Sequence, residues 1–494
     1  MENACSGQNG KRDFFTVLSI CYLAFPNLIF LTTWIRPWIG IPAALVVAVC
    51  LIVVLRKDNQ SLVRQSLDRK SMGFVVAIAL LWTFLAGVGG FVPQSSDYIK
   101  HNLVLHDLVN STWPVSYNLP IAGKSYLCYS LGYYLVPSSI ARVFGDALLP
   151  SETFLWASLG VGLFFYWIAT FNGRSNPNPR TTVLLFLMCA STGIVWYAFK
   201  LHAFSGVRDE MTTIGLVNSY FDNFTRLQFQ PQHAITGWLG AAVLYELLWV
   251  QKNPKAAAFV WSLTLLWSVM TSIGLLLLPL AALKRVRLRD YMTPVNFIGG
   301  GFLVAIMGIY YQGHAGISYN APIWKASAGA DWPLFYLLFL IFQLSFVLLV
   351  YLIDLKYSIL NEWRVLFVWS AVFLIMLPLY KVGFWGDLRM EAASPAMVFV
   401  ALGAIHCFNI ESFSIRKPLF LLFLSTFLIG AIYPAGKPWL NLITNRNDYS
   451  YAETVRTLGF HNLSEISDPS HPSFNAAEQY MGKNESVAAR WLLR

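Results

Sequence analysis

Charged side chains are scarce in this chain of 494 residues. Asp, Glu, Lys and Arg make up only 12% of it, whereas soluble proteins carry roughly 25%. So few charges could not cover the surface of a soluble domain of this size. Hydrophobic residues make up 56% and the mean hydropathy is +0.54, which excludes intrinsic disorder. The composition therefore predicts an all-α integral membrane protein with many spans.

Cysteine is also rare, and its placement excludes a secreted disulfide scaffold. Five of the six cysteines lie in apolar stretches: Cys21, Cys50, Cys128, Cys189 and Cys407. The net charge of +10 does not indicate a nucleic-acid partner. Lys and Arg accumulate on the cytoplasmic side of membrane proteins, so the basic excess is expected to report orientation.

Apolar runs long enough to cross a bilayer recur along the chain. A spanning helix needs roughly 20 apolar residues. Eleven runs meet this condition, at about 14–35, 38–55, 72–92, 148–170, 181–199, 232–251, 294–312, 333–355, 364–382, 395–412 and 417–436. Residues 257–283 form a run that is too long for one span and too short for two. Residues 126–145 are half-amphipathic and contain Pro137 and Arg142.

The distribution of Lys and Arg predicts the topology. Every basic cluster between spans lies inside if 126–145 returns to the outer face and 257–283 forms a hairpin of two short helices. Then 19 basic residues lie inside and 10 outside, before the tail. We therefore predict a cytoplasmic N-terminus and about eleven full spans. The predicted organisation is a transmembrane hairpin with a basic loop at 1–71, a membrane module at 72–436 and an extracytoplasmic tail at 437–494.

The first long outer loop, at 93–125, contains the strongest candidate for proton transfer. If residues 96–109 are helical, Asp97 and His101 lie one turn apart on the same face, and the helix rests on the membrane surface. A partly desolvated carboxylate there could accept a proton from a hydroxyl. An ordinary surface acid beside an interfacial helix is the alternative explanation.

A second polar group precedes the span at 232–251. His233 lies at the outer start of this span, and Asp222 and Arg226 lie upstream of it. An isolated histidine at a helix start more often caps the helix or makes an interfacial hydrogen bond than binds a ligand. Asp209 and Glu210 could hold a divalent cation, although a solvated pair of loop acids is the simpler explanation.

A third group begins the span at 395–412. Asp387 and Glu391 can share a helix face, and Arg389 suits a lipid phosphate because its guanidinium binds two oxygens at once. The alternative for Arg389 is an interfacial anchor. The small polar residues of the 257–283 hairpin, such as Ser272, are expected to serve tight helix packing.

Several short motifs in fixed order resemble the GT-C superfamily of membrane glycosyltransferases. They are Asp97 with the stretch to Trp113-Pro114, Tyr126 through Gly145, Pro231-Gln232-His233, the hairpin with Thr271-Ser272, and Asp387-Leu388-Arg389-Met390 before Ala393-Ser394-Pro395. The resemblance covers residues 72–436 and points to a bacterial branch. The family motif has an arginine where Glu391 stands, which changes the charge of the phosphate site.

The resemblance implies a GT-C-like bundle in the bacterial inner membrane. The implied donor is a sugar on a polyprenyl phosphate such as undecaprenyl phosphate. The implied acceptor is a lipid-linked or surface glycan such as the O-antigen of lipopolysaccharide, and one displacement by its hydroxyl would invert the anomeric centre. A divalent metal ion, Mg or Mn, is the cofactor that could take part, and no nucleotide is expected.

The resemblance also implies roles for individual residues. Asp97 would act as base or metal ligand, with Asp222 as the other metal candidate, and His101 would orient Asp97 or the acceptor. The residues expected to hold the donor phosphate are Arg389, Arg226 and Lys100. Further candidates for the site, ranked below these residues, are Asp222, His233, Asp387, Glu391 and Asp107.

Two other functions stay open at this point. A polymerase or ligase of lipid-linked glycans would hold pyrophosphate with outer-face arginines, for which Arg208, Arg226 and Arg389 are available. A flippase or transporter usually places ionisable residues at the membrane midplane. Glu246, Asp354 and His406 instead fall near the predicted cytoplasmic ends of spans, and no twofold repeat is visible.

Overall fold

The structure is a computed structural model that describes most of the chain. The described residues are 14–56, 67–119, 123–171, 178–189, 220–314, 320–326, 331–383, 386–408, 413–444, 450–466 and 476–494. Helices dominate within these residues, and the strands are short. The predicted pair Asp209 and Glu210, together with Arg208, lies outside the described residues.

The helices are numbered in chain order. They are α1 Phe14–Thr33, α2 Pro37–Arg56, α3 Arg69–Leu85, α4 Tyr98–Asn110, α5 Leu135–Phe144, α6 Leu149–Thr170, α7 Pro179–Met188, α8 Asn223–Phe229, α9 Pro231–Tyr245, α10 Ala257–Ser262, α11 Val269–Leu275, α12 Leu277–Ala282, α13 Gly301–Gln312, α14 Ile323–Ala326, α15 Trp332–Tyr357, α16 Arg364–Met376, α17 Asp387–Phe408, α18 Pro418–Thr444 and α19 Tyr451–Glu453. The strands are β1 Ser116–Leu119, β2 Gly123–Leu127, β3 Ala321–Pro322, β4 Tyr380–Lys381 and β5 Met481–Lys483.

Seven helices in the described part of the chain are long and apolar enough to cross a membrane. They are Phe14–Thr33, Pro37–Arg56, Asp146–Thr170, Pro231–Val250, Val295–Gln312, Asp387–Phe408 and Pro418–Leu440. The pair Trp332–Ile341 and Gln343–Tyr357, bent by 48°, makes up to eight. The prediction of a helical membrane protein with many spans is confirmed, whereas the count of eleven is not.

The missing spans have local causes. The run at 72–92 ends as helix at Leu85 because Gly87, Gly89 and Gly90 have φ of +85°, +83° and +74°, a region that an α-helix does not use. The run at 364–382 has a helix only from Arg364 to Leu379. Of the run at 181–199, the structure describes residues up to 189.

Helices α9 and α17 form the centre of the bundle. All 15 residues of α9 are buried, and α17 packs against α9, α11 and α16. Residues 257–283, which we predicted to form two short helices, form the three short helices α10, α11 and α12. Gly274 of α11 lies so close to α17 that a Cβ built there would be 2.1 Å from the Ala392 carbonyl oxygen. The helix contact therefore requires glycine at this position.

Replacing Gly274 by alanine is expected to lower the free energy of unfolding by about 1–3 kcal/mol, because the backbone of α17 must move to admit the methyl group. A drop in the melting temperature of the purified protein in detergent would show it. Gly308 of α13 is the matched control, since no atom lies within 4 Å of a Cβ there. An unchanged melting temperature for the Gly274 variant would contradict the packing.

Residues 126–145 do not form a single spanning helix. The segment consists of the end of β2, a 3-10 turn at Leu131–Tyr133 and the ten-residue helix α5. The turn lies against Trp267, where a Cβ on Gly132 would be 2.6 Å from the indole ring. This packing places Tyr129 and Tyr134 beside α4.

The C-terminal tail packs back onto the first long outer loop. Strand β5 pairs antiparallel with β2, with Tyr126 opposite Gly482, and extends the β1–β2 hairpin to three strands. The Leu463 amide donates to the Asp107 carboxylate at 2.9 Å, and the Tyr451 ring stacks on His106 at 3.7 Å between centroids. The tail is therefore part of the same structure as the loop that contains Asp97.

Candidate functional site

Asp97 and Lys100 form an ion pair at the start of α4. The Lys100 Nζ atom lies 3.0 Å from Asp97 Oδ2, and the two side chains are 17% and 32% exposed. The helix that was predicted over 96–109 is α4, so the three-residue spacing brings the two groups to one face. A hydroxyl from outside can therefore reach the Asp97 carboxylate.

His101 lies one turn after Asp97 and is held by two hydrogen bonds. Its Nε2 lies 3.0 Å from the Phe229 carbonyl oxygen and its Nδ1 lies 2.6 Å from the Tyr134 hydroxyl. A carbonyl can only accept, so Nε2 carries the proton and the Tyr134 hydroxyl donates to Nδ1. Burial, with a further contribution from Lys100, lowers the pKa of His101 to about 3. His101 is therefore neutral at pH 7 and connects α4 to α5 and α8.

Two glycines shape the start of α17. Gly383 and Gly386 have φ of +78° and +82°, a conformation that glycine adopts without strain. A Cβ on Gly383 would be 1.8 Å from Asp387 Oδ2, and one on Gly386 would be 2.1 Å from an Arg389 guanidinium nitrogen. The glycines thus let the Asp387 carboxyl and the buried Arg389 guanidinium pack directly against the backbone.

Glu391 joins α17 to α9 and to the hairpin segment. Its Oε1 lies 3.1 Å from His233 Nε2, and its Oε2 accepts a hydrogen bond from Ser268 Oγ at 3.3 Å. Beside His233, the fully buried Gln232 donates from Nε2 to the Tyr129 hydroxyl at 3.1 Å. The starts of α9 and α17 are therefore connected to each other and to the aromatic segment before α5.

The Lys100 ammonium group interacts electrostatically with residues of the outer loop, the aromatic segment and α17. Burial alone would lower the pKa of Lys100, but Asp97, Tyr129 and Tyr480 together raise it well above its usual value. Lys100 also acts electrostatically on Asp387 and Glu391 of α17. The Lys100 ammonium group in the outer loop thus lies within electrostatic range of the start of α17, more than 280 residues away in sequence.

The other candidate residues have structural partners. Asp222 caps α8 by accepting hydrogen bonds from the Thr225 amide at 2.9 Å and hydroxyl at 2.6 Å. Asp107 accepts from the Tyr117 hydroxyl at 2.7 Å and holds the tail. Arg226 donates to the carbonyls of Met390 and Phe221. Burial lowers the pKa of Arg226 to about 10, so its guanidinium stays charged while it holds the start of α17.

The described carboxylates do not fit a metal centre. No group of three or more His, Cys, Asp or Glu in the described ranges could hold a metal ion. Asp97 lies against Lys100, and both oxygens of Asp222 accept from Thr225. Both oxygens of Asp222 are therefore engaged in capping α8, and one oxygen of Asp97 is held by Lys100.

Sequence reasoning missed the aromatic side of the site. Tyr129 and Tyr480 meet edge to face with ring centroids 5.0 Å apart, and the Cys128 amide donates to the Tyr480 carbonyl at 2.8 Å. Burial raises the pKa of Tyr129 to about 12, so its hydroxyl stays protonated. The tyrosine-rich segment 126–134 offered a signal for Tyr129, whereas the tail around Tyr480 offered none.

The site thus combines the accessible carboxylate of Asp97, the ammonium group of Lys100 and the buried guanidinium of Arg389 with the paired rings of Tyr129 and Tyr480. These groups lie near the starts of two membrane-crossing helices. Such a set suits a substrate with both a hydroxyl and an anionic group. No protein-family model, no curated protein and no solved structure matches this chain.

Proposed function

We propose that this protein is a membrane glycosyltransferase that transfers a sugar from a polyprenyl-phosphate donor to a surface glycan such as O-antigen. The electrostatic coupling of the Asp97–Lys100 pair to the start of α17, where Asp387, Arg389 and Glu391 lie, carries this proposal. The finer architecture that we propose is a GT-C-like bundle of about eleven spans plus the short-helix hairpin. The reaction takes place on the extracytoplasmic face of a bacterial inner membrane.

Asp97 is the general base of this mechanism. It is the carboxylate of the cluster that reaches the surface, with 32% of its side chain exposed. It takes the proton of the acceptor hydroxyl as that oxygen forms a bond to the anomeric carbon. The bond from the anomeric carbon to the phosphate oxygen breaks, and its electron pair leaves with the polyprenyl phosphate. One displacement of this kind inverts the anomeric centre.

Lys100 and Arg389 stabilise the leaving group. A phosphate that is released as an anion needs positive charge more than it needs a proton. Lys100 lies beside the base, and Arg389 lies in the first turn of α17 with its guanidinium against Gly386. The described carboxylates form no group that would hold a metal ion, so the roles proposed for the described residues rest on these two cations.

Glu391 replaces the arginine of the family motif, and its contacts suggest why this is tolerated. Its side chain contacts His233 and Ser268. The residue thus stabilises the junction of α9, α11 and α17. Lys100 and Arg389 then supply the positive charge for the donor phosphate, while Arg226 donates to a backbone carbonyl of α17.

A deletion strain tests the proposed function. Loss of a single side-branch sugar from the surface glycan, with chain length unchanged, is the expected result. Loss of all long chains would instead indicate a polymerase or ligase. That alternative has less support, since Arg226 binds backbone carbonyls and Arg208 lies outside the described residues.

Tyr480 lies within electrostatic range of Lys100 and Asp97, and its hydroxyl is proposed to donate to the acceptor. Replacing Tyr480 by phenylalanine is therefore expected to raise KM for the acceptor by about tenfold with little change in KM for the donor, because the lost hydrogen bond costs about 1–1.5 kcal/mol. Initial-rate kinetics with each substrate varied in turn measures this. Tyr451, which stacks on His106 away from Lys100, is the matched control. A rise in KM for the donor alone would place Tyr480 on the phosphate side.

The proposed orientation predicts which engineered cysteines a membrane-impermeant maleimide reaches in intact cells. Lys124→Cys in β2 is expected to react, since β2 lies on the proposed outer face. Lys255→Cys should react only after the cells are permeabilised. Both positions are exposed, so reactivity reports the side of the membrane, and the parent chain gives the background from native cysteines. The reverse pattern would contradict the orientation.

A further inference from the structure

A groove at the opposite end of the bundle from the candidate site has the form of a lipid-binding site. Its volume is about 560 Å³, within the range of ligand pockets. It reaches Leu247, near the end of the span that begins at Pro231. At 1.5 Å per residue, Leu247 lies roughly 20–25 Å along that span from His233. The groove is therefore separate from the cluster around Lys100.

The walls of the groove are apolar and belong to three membrane-crossing helices. They come from α2, from the end of the Pro231–Val250 span and from the start of the Val295–Gln312 span. Leu45, Val49 and Ile298 on its rim are 61%, 58% and 49% exposed. The stretch of α2 from Leu45 to Val54 is roughly 14 Å long, about half of a 30 Å hydrocarbon core. The groove therefore has the depth of one leaflet.

Polar and basic groups gather at one end of the groove. Asn253, Lys255 and Thr293 line it there. In the described part of the chain, four exposed basic residues lie near this end, and one acid, Asp290, lies in the adjoining turn; the basic residues are Arg56, Lys252, Lys255 and Arg289. An apolar channel of one leaflet's depth with a basic mouth is complementary to an amphiphile with an anionic head.

The mouth is held in place by hydrogen bonds within the chain. The Thr293 hydroxyl donates to the Lys255 carbonyl at 2.7 Å. The side-chain amide of Asn296 donates from Nδ2 to the carbonyls of Pro254 at 2.9 Å and Tyr291 at 3.0 Å. Because the turn is fixed before any ligand arrives, little ordering entropy opposes binding.

We propose that this groove binds one anionic phospholipid, with an acyl chain along α2 and the phosphate beside Lys255 and Lys252. The occupant belongs to the leaflet on the side of the basic loops. The basic residues at the mouth favour an anionic head group over a zwitterionic one. The apolar depth of the groove favours an acyl chain. This site does not depend on the proposed glycosyl transfer.

Native mass spectrometry of the full-length protein tests the proposal with two probes, dioleoyl-phosphatidylglycerol and dioleoyl-phosphatidylcholine. Each basic residue near a phosphate is worth about 1 kcal/mol, so two give a preference of about tenfold or more for the anionic lipid. Lys255→Gln is expected to reduce that preference about fivefold. Lys124→Gln in β2 is the matched control and should leave it unchanged.

Filling the groove tests its location. Val49→Trp is expected to remove the tightly bound lipid, while Leu155→Trp, at a 55% exposed position of α6, should retain it. Val53→Trp serves as a second blocking variant if Val49→Trp fails to fold. Equal binding of the two probes by the unmodified protein would overturn the proposal. Undiminished binding by both blocking variants, or displacement of phosphatidylglycerol by a polyprenyl phosphate, would overturn it as well.

Discussion

Replacing Asp97 by asparagine is expected to lower kcat for the proposed sugar transfer by about 10²–10⁴-fold, the usual contribution of a positioned general base. The amide cannot take the proton of the acceptor hydroxyl. Its oxygen can still accept the hydrogen bond from Lys100, which lies at 3.0 Å in the unmodified protein. The donor phosphate therefore finds the same cation, and KM for the donor is expected to change little. Initial rates of transfer in membranes, with each substrate varied, separate the two effects.

Asp146→Asn is the matched control for this variant. Asp146 is an exposed acid at the turn before α6, and its change should leave the rate unaltered. Full activity of Asp97→Asn, at normal expression, would remove Asp97 from the mechanism. Asp107 is not a suitable control, since its carboxylate holds the tail through Leu463.

Replacing Lys100 by methionine is expected to lower kcat by about 10²–10³-fold, comparable to the loss of one donor at a developing anion, and to raise KM for the donor. Methionine has a similar length without the charge. Its introduction also leaves Asp97, Asp387 and Glu391 without their shared cation. The same kinetics in membranes measures both parameters.

Lys100→Arg distinguishes charge from geometry. The guanidinium keeps the charge but is planar and larger than an ammonium group, so partial activity is expected. Lys124→Met, at an exposed position of β2, controls for loss of surface charge. A Lys100→Met protein with normal KM for the donor would show that the phosphate binds elsewhere.

Much of the fold follows from the apolar pattern, because a spanning helix must be about 20 residues long and apolar. The runs at 14–35 and 38–55 correspond to α1 and α2 within three residues. The pattern cannot show where a run stops being helical. The glycines at 87–90 end α3 inside a predicted span, and the bend in Trp332–Tyr357 has no counterpart in hydropathy.

The site was predictable where residues lie close in sequence. Asp97 with His101, and Asp387 with Glu391, follow from helical spacing. Their electrostatic coupling through Lys100 depends on tertiary packing, such as the contact of His101 with the Phe229 carbonyl just before α9, which spacing does not encode. Tyr480 reaches the site because β5 pairs with β2, and a pairing over some 350 residues leaves no local signal.

Transfer by the purified protein in liposomes tests the central claim most directly. The probes are radiolabelled polyprenyl-phosphate hexoses and pentoses, supplied with a lipid-linked glycan acceptor. We predict that label moves to the acceptor with release of one polyprenyl phosphate per sugar, and that Asp97→Asn slows this transfer by about 10²–10⁴-fold. Label that crosses the bilayer still attached to its polyprenyl phosphate, with none on the acceptor, would contradict the account and indicate a transporter.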